Sequence, residues 1–179
     1  MIWRDSLYPQ EYIQYLVHFH GDRDYFECHE ILEEYWKKND PGNKDSIWVG
    51  LILLSVSSYH HRRANFNGAK RTLKKAIKIF LLQEKSLKSL RLNQEHLMSL
   101  LQQRLDMMEK EIAYNNFDLP IYDSSLIDAC KEAASKMGIK RGSESDLMNM
   151  DIIHKHLVRD RTSVIEERNR AVKFRKGNK

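Results

Sequence analysis

Apolar residues along the chain recur at helical spacing, not in strict alternation. Tyr12, Ile13, Leu16 and Val17 form one such set behind Pro9, which suits a first helical turn, and Gly21 closes it. Asp24 followed by Glu27 resembles a capping box and predicts a second helix running to about Lys38, where Asn39-Asp40-Pro41-Gly42-Asn43 breaks it. From about Asp45 to Arg63 the pattern loses its polar side. Ile47, Trp48, Val49, Leu51, Ile52, Leu53, Leu54, Val56 and Tyr59 cover most of the circumference, so this third helix should be surrounded by others. After a turn at Asn65 to Gly68, a one-sided stripe of Leu73, Ala76, Ile77, Phe80, Leu81 and Leu87 predicts a fourth helix to about Leu90. Asn93 then caps a fifth, which carries Leu97, Leu101, Leu105, Met108 and Ile112.

Asn115 to Pro120 interrupts the periodicity, which divides the chain into a helical bundle domain, residues 1–122, and a C-terminal extension, residues 123–179. The extension reads as a short helix near Ser124 to Met137, a linker at Gly138 to Ser145, and a weakly periodic charged segment with Ile152, Ile153, Leu157, Val164 and Ile165. That segment has three open fates: docking on the bundle, pairing with a partner, or partial disorder. The predicted fold is all-α, an antiparallel bundle of about five helices plus a charged helical C-terminal extension.

Composition narrows the class. Seven Gly and three Pro are too few for the turns of an all-β fold. The apolar run Ile47 to Leu54 is far short of the roughly 20 residues that span a bilayer. The first residues show no apolar signal region, and Cys28 and Cys130 form no metal-finger or disulfide spacing. A cytoplasmic protein is expected, with no membrane partner. The net charge of +5 comes from one end: residues 1–137 hold 19 basic and 19 acidic residues, residues 138–179 hold 11 and 6. The basic balance therefore describes a tail and not the bundle.

The densest chemistry lies in Phe26-Glu27-Cys28-His29-Glu30-Ile31-Leu32-Glu33-Glu34-Tyr35-Trp36. At about 100° per residue, Tyr25, Cys28, Leu32, Tyr35 and Trp36 share a face opposite Glu27, Glu30 and Glu34. His29 and Glu33 fall one turn apart at the boundary and should reach each other. His60 continues a stripe of Val49, Leu53 and Val56, so its ring is expected to face inward more than that of His61 and to meet His29. Two imidazoles and a carboxylate would suit zinc, manganese or iron as cofactor. A purely structural hydrogen-bonded network is the competing reading. His29-Glu30-Ile31-Leu32-Glu33 echoes a zinc-protease pattern, but Glu33 stands where the second His belongs and Glu30 points elsewhere.

The segments FECHEILEEYW, GLILLSVSSYHHRRANFNGAKRTLKKAIKIF and NNFDLPI together resemble an uncharacterised bacterial and archaeal family, domain of unknown function 309. The resemblance spans about residues 10–122. Its His-x3-Glu-x2-Trp signature falls on His29, Glu33 and Trp36, with Phe26-Glu27 before it and the pairs Tyr59-His60 and Gly68-Ala69 after it. The resemblance implies a compact all-α bundle and a His/Glu motif suspected of holding metal, with no established reaction. This chain departs from the pattern at Val49 and Leu53, where glutamines are common, and at Ala64, where Gly often precedes Asn.

Arg62 and Arg63, with Arg168, Arg170, Lys173, Arg175 and Lys176 in the tail, offer a phosphate or nucleic-acid surface. A solvated helix face accounts for them more simply, since few aromatics are interleaved. His154 and His156 read as exposed tail residues. No nucleophile, substrate loop or phosphate-cradling glycine loop is spelled out. The leading expectation is a non-enzymatic interaction or scaffold module with an unknown protein partner. The alternative is a metal-dependent hydrolase with His29, Glu33 and His60 as ligands, Glu30 or Glu27 as base, and Phe26 and Trp36 supporting the site.

Overall fold

A computed structural model describes residues 7–140 and 150–155, together with 166 and 170. Among these the chain forms α1 (Gln10–His20), α2 (Tyr25–Asn39), α3 (Ile47–Arg62), α4 (Phe66–Leu82), α5 (Glu84–Ser89), α6 (Gln94–Glu109), α7 (Ser124–Met137) and α8 (Met150–Ile153). No strand occurs among the described residues; Leu92 and Ile121 meet in one isolated antiparallel bridge. The protein is an all-α helical bundle, and no described helix is long and apolar enough to cross a membrane.

Side-chain caps start four of the helices. Asp24, Asn65, Asn93 and Asp123 each accept a hydrogen bond from a backbone N–H of the first turn, satisfying donors that a helix leaves open. Helix α3 packs against both α2 and α4, while α1 packs on α2 and α6 on α4. Short connections between these contacting helices make the neighbours antiparallel. Two close approaches lock the centre. Tyr15 of α1 donates to the Leu51 carbonyl at 3.0 Å. Gly50 lets the Phe80 ring come so near that a Cβ there would lie 2.7 Å from it.

Two readings need correction, and one helix packs across the expected boundary. The fourth helix is not continuous: it breaks at Gln83, where the chain bends to carry Leu87, Leu90 and Leu92 under α1, and Tyr12 donates to the Leu90 carbonyl at 2.9 Å. Leu81, expected in the buried stripe, points to solvent at 59% exposure, and Ile112 lies past the end of α6 in water. Helix α7, placed in the extension by the boundary at 122, packs on α1 and adds Leu126, Cys130 and Ala134 to the same core. An amphipathic helix of 14 residues gains more by covering that face of α1 than by standing apart.

The Gly50 contact generates a prediction. Gly50→Ala gains helix propensity of about 1 kcal/mol but pushes a methyl into a ring with no room to retreat. Urea unfolding should show a net loss of about 1 kcal/mol or more; equal or greater stability would mean the Phe80 ring is free to shift.

Candidate functional site: a clamped imidazole beside an acidic cleft

The site is built on α2, and its geometry begins at the cap. Asp24 Oδ1 accepts from the Glu27 N–H at 3.0 Å, but Glu27 does not return the bond as a full capping box requires. Its carboxylate reaches instead to Lys155 Nζ at 2.9 Å, and the same ammonium lies 2.7 Å from Asp24. The Asp24 N–H is taken by Asp22 Oδ1 at 3.2 Å. Lys155 thus ties residues 150–155 to the N-terminal turn of α2.

One turn further, His29 Nε2 lies 2.9 Å from Glu33, and its Nδ1 lies 3.3 Å from Glu30. The ring is held between two carboxylates on opposite edges. Burial pulls its pKa down, but the hydrogen bonds and charges of Glu30 and Glu33 outweigh that and raise it to about 9. The hydrogen bond from His29, opposed by burial and reinforced by Lys37 at 3.0 Å, lowers Glu33 to about 2. At neutral pH the group is a charged relay, Glu30–His29–Glu33–Lys37. Beside it opens a cleft of about 430 Å³, walled by Glu27, Glu30, Glu33 and Glu34 over Phe26 and Ile31, with Lys37 and Lys155 at its edges.

His60 does not join this group, contrary to the sequence reading. The buried line of α3 runs Ile47, Leu51, Leu54, Ser58, His61, whereas Val49, Leu53, Val56 and His60 form a half-buried edge. A helix apolar all round offers no sequence signal for which stripe is central. Rings in contact run His29, Phe26, Tyr59, His60, so two aromatic side chains stand between the imidazoles. His60 Nδ1 is turned to the Asn65 amide at 3.1 Å. The three residues whose ligand atoms come together, within 4.8 Å, are His29, Glu30 and Glu33.

Trp36 and the Gly68-Ala69 pair make contacts away from the cleft. Trp36 Nε1 donates to the Asn43 carbonyl at 3.0 Å and ties the end of α2 to the breaker segment. Gly68 and Ala69 start α4: Asn65 caps the Gly68 N–H at 3.0 Å, and Ser57 of α3 donates to the Ala69 carbonyl at 2.9 Å. Ala64, which ends the turn before α4, adopts φ +57°, a conformation that costs any L-residue.

The basic surface is also rearranged. Arg62 is buried, donating to the Arg23 carbonyl at 2.6 Å and lying 4.9 Å over the Tyr25 ring. Arg63 lies over the Tyr59 ring. Arg62 therefore offers no guanidinium to bulk water, while Arg63 is half-buried. Arg170 is exposed near Glu166, while Arg168, Lys173, Arg175, Lys176 and His156 lie outside the described residues. His154 is half-buried instead of exposed.

Two features had no sequence signal. Lys155 is one lysine among many in a charged segment. His61 is fully enclosed, its Nε2 bonded to the Ile112 carbonyl and its Nδ1 facing Arg104 at 3.3 Å. Arginine carries no acceptor, so Nδ1 accepts and Nε2 bears the proton. Burial pushes the His61 pKa down; the bond to the Ile112 carbonyl opposes it and Arg104 adds to it.

A helical bundle with a His/Glu/Trp signature on its second helix defines the class of this protein, and the comparisons agree. The chain belongs to the family described as "Domain of unknown function (DUF309)", whose profile matches residues 12–72. It is 45% identical over 170 residues to the uncharacterised protein YpuF of Bacillus subtilis (strain 168), an alignment covering 95% of this chain and 98% of that protein. No solved structure matches the chain.

The clamp has a pH signature. The His29 contribution is complete below its unfolded value near 6.5 and fades as pH rises through about 9. That of Glu33 is complete above about 4.5 and fades as pH falls through about 2. Both side chains keep a quarter to a third of their surface in water, which limits the pair to about 1 kcal/mol. In chelator-treated protein, the stability difference between wild type and His29→Gln should be constant from about pH 5 to 6.5 and shrink toward zero by about pH 9. A difference unchanged across that range would contradict the clamp.

Proposed function

We propose that the protein is a non-enzymatic interaction module of the cytoplasm whose acidic cleft on α2 receives a cationic segment of a partner protein. The observation that carries this reading is Lys155. The chain's own ammonium is seated at the cleft edge between two carboxylates, 2.7 Å from Asp24 and 2.9 Å from Glu27. Such charge-assisted hydrogen bonds gain strength where the cleft wall excludes part of the water. Four glutamates against two lysines leave the cleft net acidic. The N-terminal dipole of α2 further favours carboxylates at Asp24 and Glu27.

The clamp on His29 fits this role. It uses both ring nitrogens to hold Glu30 and Glu33 in place, which preorganises the wall of the cleft and lowers the entropy lost on binding. A fluorescent lysine-rich peptide should bind the full chain, more weakly with rising salt. Glu30→Gln combined with Glu34→Gln should weaken binding about tenfold. Equal affinity in wild type and the double variant would defeat the proposal.

A second reading, a divalent-metal centre of zinc, manganese or iron serving a hydrolase, draws on the ligand atoms of His29, Glu30 and Glu33 lying within 4.8 Å. The donor set fits poorly as arranged. The two carboxylates sit on different ring nitrogens, so a cation would have to displace a proton and draw both acids to one edge of the imidazole. His60 is committed to Asn65, and Glu27, a candidate base, to Lys155. Elemental analysis of protein purified without chelator separates the readings. The interaction module predicts only trace metal, the same in wild type and His29→Ala; near-stoichiometric metal lost in that variant would establish the metal centre instead.

A further inference from the structure

The Asn115-Asn116-Phe117-Asp118-Leu119-Pro120-Ile121 motif takes no part in the α2 cleft, yet two buried arginines converge on it. Arg23 sits in the turn between α1 and α2, at φ +58°. Its Nη1 donates to the Phe117 carbonyl at 2.7 Å and to that of Phe19 at 3.0 Å, and its Nη2 pairs with Asp118 at 2.9 Å. Arg104, near the end of α6, lays its guanidinium 4.4 Å over the Phe117 ring and 5.2 Å over that of Tyr114. It donates to Asn115 Oδ1 and to His61 Nδ1.

Among the described residues, two buried guanidiniums face a single ion-paired carboxylate. Arg23 and Arg104 are 3% and 4% exposed. Arginine cannot shed its proton, and a buried ion is costly without a counter-charge. Asp118 is the one carboxylate ion-paired with Arg23 or Arg104 among the described residues, and it is 61% exposed. Asp22 is engaged by His18, and Asp24 by Lys155. The Nε atoms of Arg23 and Arg104 are buried with no hydrogen-bond partner. The acceptors at the outer ends of both guanidiniums, Asn115 and Asp118, are exposed side chains at a rim.

We propose that the Asn115–Asp118 turn is a binding site for a phosphate-class oxyanion, held by Arg23 and Arg104, with Asp118 as its displaceable stand-in. A guanidinium fork matches the oxygens of a phosphate as it does those of a carboxylate. Asp118 occupies the position on Arg23 Nη2, and Asn115 that on Arg104 Nη1, which the oxygens of an incoming anion would take. Both are exposed, so an anion arriving from solvent meets them first. A doubly charged phosphate supplies more counter-charge than the exposed carboxylate it replaces.

Calorimetric titration of the full-length protein at constant ionic strength, with inorganic phosphate and with phenyl phosphate, tests this. One saturable site is expected. Asp118→Asn removes the competitor and should tighten binding about tenfold, whereas Arg104→Gln should weaken it at least tenfold. Tighter binding of phenyl phosphate assigns the site to a monoester on a larger molecule, and the reverse order to the free anion. Absence of saturable binding in both wild type and Asp118→Asn, or equal affinity in the two, would overturn the proposal. Should Arg104→Gln fail to fold, the Asp118→Asn comparison decides alone, because that side chain lies on the surface.

Discussion

Helix α3 has no polar face, and the need to cover it on every side orders the rest of the bundle. Its buried line from Ile47 to His61 is enclosed by α2 and α4, with α1 reaching the Leu51 carbonyl through Tyr15. Serines within it would be costly in such surroundings, but Ser55 and Ser58 donate to carbonyls of their own helix and Ser57 to the Ala69 carbonyl of α4. The small residues Gly50 and Ala69 let α3 and α4 approach closely enough to seal the helix. With Tyr25, Cys28 and Leu32 of α2 turned into the core, its glutamates have nowhere to go but the outer wall.

That division of labour separates opposite charges. The outer wall of α2 is acidic and partly hydrated, whereas the turn after α1, the end of α3 and the end of α6 bring arginines together inside the protein. The C-terminal segment touches both regions. Lys155 bridges Asp24 and Glu27, and three residues earlier the Ile152 carbonyl accepts from Arg62 at 3.5 Å. A single short stretch therefore contributes a cation to the acidic wall and a neutral acceptor to the basic interior. The two sites share a neighbour but not a chemistry.

Within the acidic site, hydrogen-bond geometry limits the options. An imidazole with a carboxylate on each nitrogen is best satisfied as a cation, which makes His29 a fastener for the wall it belongs to. The ring row from His29 through Phe26 and Tyr59 to His60 explains why a second imidazole on α3 does not complete a ligand set. Trp36 supports the site only indirectly, by fastening the far end of α2.

Local features were legible in the sequence because they depend on spacing within one element. The helices of the bundle, the caps at Asp24 and Asn93, and the meeting of His29 with Glu33 one turn apart all follow from helical geometry and side-chain reach. Which of His60 and His61 faces inward did not, because a helix apolar around its whole circumference carries no polar stripe to orient it. The bend at Gln83, the docking of α7 on α1, the seat of Lys155 and the burial of Arg23, Arg62 and Arg104 likewise depended on contacts between residues distant in the chain. A charged side chain looks solvated in sequence. Only the packed structure decides whether its neighbours leave it in water or close over it, because the cost of burial is set by partners that tertiary contact alone brings within reach.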